Sequence, residues 1–244
     1  MSLAGDANRR RNRRAPSDRA VRWRHARDEL WCVLDPLVAS GARVAVVGAG
    51  NGDDVPLARQ PRRVRAKLTA VEEDVTAGVA ERVAAAIVAG HAVRDDLVPR
   101  SPVGTGGYDV VVADLLYTQL LFPALLDAEV EPERRTPALQ RHGQRLTDGV
   151  VRRLHASSRG HVVHVHDVAG WWPGHPQPLT PAEVLAPAPG PAALVHRLGR
   201  PAGCDVRGSV ARTKDPVTSE RWWTWPFAAD TTYLVRGIVA RVRR

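Results

Sequence analysis

The sequence predicts an α/β domain, a mostly parallel sheet with helices on both faces. Three observations predict it. Helical and strand-like patterns alternate from about residue 17 to residue 167. The strand-like segments are short runs of apolar, β-branched residues, as expected of strands buried on both faces. Each run also ends near a carboxylate, so acidic groups gather at the strand ends.

The elements follow in order. Ser17 suits an N-cap, Trp23, Leu30, Leu34 and Leu37 recur at helical spacing, and Gly41 marks the stop. Val44, Ala45, Val46 and Val47 form the first strand, which runs into Gly48. Residues 67 to 71 read as a second strand ending at Glu72 and Glu73. Val75, Val79, Val83 and Ile87 then line one helical stripe closed by Gly90. A short third strand at 92 to 94 precedes Asp95 and Asp96, and a fourth at 108 to 113 ends in Asp114. Leu139, Leu146, Val150 and Leu154 make a further amphipathic helix, and residues 161 to 166 a fifth strand ending at Asp167. Beyond Val168 the composition turns to Pro, Gly and Trp, and Thr180, Pro181 and Glu183 resemble a capping box. Residues 168 to about 205 read as a lid or insertion. The run from Thr231 to Val242 reads as a final strand, with 206 to 210 as its partner and a Trp-rich loop between them. No internal repeat is present.

Length and charge narrow the classes. The 244 residues, 44% apolar, suffice for one domain over 17–244 behind a basic arm at 1–16. The longest apolar stretch without charge, 115–126, has twelve residues and contains Pro123, too short to span a bilayer. No apolar run follows the arginines at positions 9 to 14, so export is not expected and a cytoplasmic location is. Cys32 and Cys204 cannot build a disulfide framework or a thiolate metal centre and read as small core residues; no metal is expected. The net charge of +9 sits mostly in residues 1–27, where nine arginines face Asp6 and Asp18. The rest, with 26 basic and 24 acidic side chains, is close to neutral. With only Lys67 and Lys214 against 33 arginines, the basicity reads as coding bias and a solvated arm before it reads as a nucleic-acid surface.

The sharpest motif is Val44-Ala-Val-Val-Gly-Ala-Gly-Asn-Gly-Asp53. Glycines at 48, 50 and 52 let the backbone turn sharply at a strand end and bring its amides against a ligand, where open α/β sheets bind theirs. The dinucleotide fingerprint ends in a small residue that permits close helix packing, but here that place is Asp53. Gly-x-Gly-x-Gly followed by an acid instead resembles the first motif of the class I S-adenosylmethionine-dependent methyltransferases, over roughly residues 20 to 167.

That resemblance implies a Rossmann-like methyltransferase fold, with a mostly parallel seven-stranded sheet and an antiparallel last strand. It places Gly48, Ala49, Gly50, Gly52 and Asp53 along the methionine portion of S-adenosylmethionine. Glu72, with Glu73 beside it, would accept from the ribose hydroxyls, and Asp95 or Asp96 would hold the adenine amino group. Asp114 would face methionine and the acceptor. Many members carry an acid two places before the first glycine; here that place is Val46, which leaves the methionine ammonium to Asp53 or Asp114.

The implied reaction is in-line methyl transfer to a small-molecule acceptor, which needs alignment more than acid-base machinery. Where the acceptor is a phenol or alcohol a base is useful, and the candidates are His164, His166, Asp167 and Tyr117. Five of the seven tryptophans lie beyond residue 167. Trp171, Trp172, Trp222 and Trp223, with Tyr117, are therefore candidates for an aromatic acceptor pocket, the alternative being a minor core. Three rival functions remain: an RNA methyltransferase that uses the arginine arm, a non-catalytic cofactor-binding protein of the same fold, and a dinucleotide oxidoreductase.

Overall fold

Tyr108–Asp114 (β2) reads Tyr-Asp-Val-Val-Val-Ala-Asp, and its alternate side chains enter two different cores. Val110 and Val112 face one layer of helix and Val111 and Ala113 the other, so β2 is buried on both sides and needs no polar alternation. The computed structural model describes residues 19–48, 73–93 and 98–243. Around β2 it places Val44–Val47 (β1), Ser158–Trp171 (β3), Val217–Ala228 (β4) and Thr231–Arg241 (β5) in the order β1-β2-β3-β5-β4. β1, β2 and β3 are parallel, while β5 runs antiparallel to β3 and to β4.

One face is covered by Arg24–Leu34 (α1), whose Ala26, Leu30, Val33 and Leu34 pack on Val110, Val112, Val163 and Val235. The other carries Val79–Val88 (α2), Phe122–Asp127 (α3), Pro132–Ala138 (α4) and Gln144–Ser157 (α5). Val206–Thr213 (α7) completes that layer, and Pro181–Leu185 (α6) belongs to a third, small core with Val168, Leu198 and Leu234. The described part is a mixed α/β sheet between helical layers, compatible with the Rossmann-like architecture.

The structure departs from the sequence expectations in several places. Five strands occur among the described residues where seven were expected: 67–71 lies outside them, and Ala92 and Val93 are not in a strand. β1 is not buried on both faces: Val44 and Val46, on the same sheet face as Val110 and Val112, are 37% and 36% exposed because α1 packs on that face without covering its β1 edge. Residues 206–210 are helix, not strand. Asp205 accepts from the Gly208 amide at 3.0 Å as an N-cap, and Val206 and Val210, four residues apart, are buried on one stripe.

The partner of the last strand is instead the Trp-rich stretch expected as a loop, now β4, which pairs Trp223 with Val235 and Trp225 with Tyr233. β4 lies at the end of the strand order, and Pro226, which has no N–H to donate, falls in the register shift between the paired Trp225 and Ala228. The first helix is broken at Trp23, whose buried indole N–H donates to the Pro226 carbonyl at 3.1 Å. Cys32 is exposed on α1, not a core residue. The capping box is present as read: the Thr180 hydroxyl and the Glu183 side chain each accept from the other residue's backbone amide.

Candidate active site

The parallel strands end side by side. β1 runs into Gly48, whose φ of +91° is left-handed and which lies so close to the exit of β2 that an added Cβ would stand 2.6 Å from the Asp114 carbonyl oxygen. The same Cβ would meet the Leu116 Cβ at 2.8 Å. Only glycine fits both the conformation and the space. β2 ends at the buried Asp114, and Leu115, at φ +50°, swings the chain over the exit of β3 by donating its amide to Val165 at 2.9 Å. A 3₁₀ turn over Tyr117–Gln119 follows.

That turn meets the end of β3. The Thr118 hydroxyl donates to Asp167 Oδ1 at 3.1 Å, and the Tyr117 hydroxyl lies 2.5 Å from His164 Nδ1. Beside them opens a cleft of about 380 Å³, lined among others by Tyr117, Asp167, Trp172, His175, Arg200 and Tyr233. Trp172 stacks flat on His175, with centroids 4.0 Å apart and planes within 6°. Trp172 is 41% exposed, so this aromatic pair forms an open wall.

Burial sets the protonation of the cleft. It pushes the Asp167 carboxyl up, against the opposing pull of its own amide and the Thr118 hydroxyl. It holds the Tyr117 phenol well above its ordinary value, with Cys204 adding to the effect. The Cys204 thiol is pushed up to about 12 by burial and then by Asp167 and Asp205, so it is neutral and unreactive. Burial, followed by the Arg236 charge, brings His166 down to about 3, and neither of its ring nitrogens has a hydrogen-bond partner among the described residues.

No family model and no curated protein matches the chain. Among solved structures it is similar to the crystal structure of magnesium protoporphyrin IX methyltransferase (ChlM) from Synechocystis PCC 6803 with bound SAM. The likeness has a TM-score of 0.38 and 13% identity and covers 97% of this chain and 92% of that one.

Of the residues singled out from sequence, Gly48, Asp114, Tyr117, His164, His166 and Asp167 gather at the exits of the parallel strands. Ala49, Gly50, Gly52, Asp53, Glu72, Asp95 and Asp96 lie outside the described residues. Glu73 does not join the exits. Its carboxylate takes Arg153 Nη2 at 2.5 Å and the Gly104 amide at 2.7 Å. Arg153 also donates to Ser101, and the Val103 amide to Ser157, so Glu73 is tied to the segments that enter β2 and β3.

Three of the four tryptophans proposed for the acceptor pocket are elsewhere. Trp171 donates to the Leu179 carbonyl at 2.8 Å and packs with Trp222 on the third core, where Arg236 covers the Trp222 ring at 4.7 Å. Trp223 is buried under α1. Alternation along β3 and β4 sends these rings to sheet faces already covered, and only Trp172, just past β3, is left for the cleft.

Sequence reasoning missed His155 and Asp215. His155 Nδ1 lies 2.6 Å from Asp215 Oδ2, and its Nε2 lies 3.0 Å from His164 Nε2. The two residues are 60 positions apart and reach each other only when α5 and the chain between α7 and β4 dock on the same sheet face. No spacing in the sequence signals that contact.

Proposed function

We propose that the chain is a cytoplasmic S-adenosylmethionine-dependent methyltransferase acting on a small-molecule acceptor held in the cleft beside Tyr117, Asp167 and Trp172. The single observation that carries this reading is the Gly48 turn, which brings the exit of β1 within contact of the exit of β2, at the head of a Gly-x-Gly-x-Gly-Asp motif. Only glycine lets the chain leave β1 in contact with the Asp114 carbonyl and Leu116, so two strand exits lie together where open α/β sheets bind their ligands, and this supports a cofactor laid across the strand ends. Gly48, Gly50, Gly52 and Asp114 would hold its methionine part, and Glu72 its ribose.

When bound, this cofactor supplies a methyl group already activated on a sulfonium. The chain's task is then to hold an acceptor atom in line and exclude water, which can contribute on the order of 7–11 kcal/mol toward the barrier. Trp172 and Tyr233 offer faces to a flat acceptor, Asp167 accepts its hydrogen bond, and Arg200 at the mouth suits a negative substituent.

Calorimetric titration of the full chain with S-adenosylmethionine, S-adenosylhomocysteine and NAD tests this. The reading expects saturable heat with the first two and none with NAD. Heat with NAD alone would overturn it in favour of an oxidoreductase.

A further inference from the structure

A line of four polar side chains crosses the helical layer behind the cleft. It starts at the Tyr117 hydroxyl, continues through His164 on β3 and His155 on α5, and ends at Asp215 between α7 and β4. The contacts are 2.5, 3.0 and 2.6 Å, so no gap interrupts the line. Tyr117 and His164 are buried, and the Asp215 side chain is 11% exposed, so the inner end lies at the cleft and the outer end reaches the surface. Asp215 is fixed there by the Arg243 amide, which donates to Oδ1 at 2.9 Å.

Hydrogen-bond logic gives the resting line one direction. The Asp215 carboxylate can only accept, so His155 donates from Nδ1; a neutral His155 then has a bare Nε2. That nitrogen accepts from His164 Nε2–H, which leaves His164 Nδ1 bare to accept the Tyr117 hydroxyl proton. Burial, His155 and His166 keep His164 well below its ordinary pKa, and burial lowers His155 although Asp215 opposes it, so two neutral rings agree with their surroundings. The titratable groups against the line are His166, whose ring meets Tyr117 edge-on at 6.4 Å, Cys204 beside Tyr117, and Asp215 itself.

We propose that this line is a proton relay that draws the proton from a hydroxyl-bearing acceptor, a phenol or enol, during its O-methylation; the inference rests on the methyltransferase reading above. The acceptor oxygen forms its bond to the methyl carbon as the carbon–sulfur bond breaks and its electron pair stays on sulfur. The acceptor's proton passes to the Tyr117 oxygen, the Tyr117 proton to His164 Nδ1, and the His164 Nε2 proton to His155 Nε2. His155 becomes an imidazolium held by the Asp215 carboxylate and gives its proton to water at that end. Tyr117 is the catalytic residue, and His164, His155 and Asp215 act through it as positioning residues.

Two measurements test the relay. Long-range nitrogen–proton NMR of the ¹⁵N-labelled full chain reads the imidazole tautomers directly. The relay expects neutral rings with the proton on Nε2 of His164 and Nδ1 of His155; a resting His164 protonated on Nδ1 would overturn it, since it could not receive the Tyr117 proton. The second measurement is titration of 4-nitrocatechol, a coloured phenol, with S-adenosylhomocysteine present. The bound dye is expected to ionise at a lower pH in wild type than in Tyr117→Phe or Asp215→Asn, by about one unit, a tenfold change in ionised fraction. Equal ionisation in all three proteins, or no saturable dye binding, overturns the relay. Failure of S-adenosylhomocysteine to bind is a different result: it removes the methyltransferase reading, and the tautomers alone then judge the line.

Discussion

The exits of the parallel strands and the β4–β5 hairpin are both rich in aromatic and polar side chains but use them differently. In the hairpin, rings close on rings. Trp23, Trp225, Phe227 and Tyr233 meet at centroid distances of 5.0 to 6.2 Å, and Trp223 is buried under α1. At the exits, by contrast, backbone is held in left-handed conformations at Gly48 and Leu115, and polar groups are buried beside an open cleft. The hairpin therefore stabilises the fold, while the exits hold strained backbone and buried polar groups beside an open cleft, which is the pattern the proposed ligand site calls for.

The largest effect that sharpens this contrast is expected from Trp223→Ala, which empties a core site and should cost about 3–5 kcal/mol in urea unfolding. Cofactor affinity of the folded fraction should stay at the wild-type value. Gly48→Val is the converse. It forces a branched side chain into a left-handed position with 2.6 Å of room. The strain should cost about 1–3 kcal/mol of stability, and calorimetry should show cofactor affinity falling by more than about tenfold, or 1.4 kcal/mol. Loss of affinity in Trp223→Ala but not in Gly48→Val would break the comparison.

A pH effect comes next. His166 is lowered from 6.5 to about 3 in the folded protein, so between those values the unfolded chain binds more protons than the folded one. Its contribution to stability is intact above 6.5 and is lost as pH falls toward 3. The unfolding midpoint of wild type should drop over that window, and His166→Leu should flatten the drop. A parallel loss in both proteins would show that His166 does not titrate this way. The smallest effect is expected from Trp172→Ala, under about 0.5 kcal/mol in stability because the ring is at the surface, with the change appearing instead as a raised KM for a flat acceptor.

The order of the main elements was legible because buried parallel strands and amphipathic helices write different periods into the chain. β1 and β2 start where the sequence places them, and β3 contains the expected run at 161–166 and extends it to Trp171. Gly48 and Asp114 were legible for the same reason, since each directly follows or ends such a run. The hairpin was not. β4 carries Thr218, Ser219, Glu220 and Arg221 on an edge, where polar residues face solvent, and its Trp-Trp-Thr-Trp-Pro run obeys no single period. Val206 and Val210, four residues apart, share one face of a helix and equally one face of a strand, so the spacing of two valines does not separate the two. His155 and Asp215 were invisible because their roles arise from docking, while the Trp-rich segments drew the pocket prediction by composition, which says nothing about the face on which a ring lands.

In the proposed function, the exits of β1 and β2 hold an adenosyl ligand with its sulfur toward the Tyr117 cleft. Crystals of the full chain grown with S-adenosylhomocysteine test it most directly. Density for the ligand is expected against Gly48 and Asp114, with the sulfur opening onto the space between Tyr117 and Trp172. Density on another face of the sheet, or a sulfur turned away from that space, would contradict it.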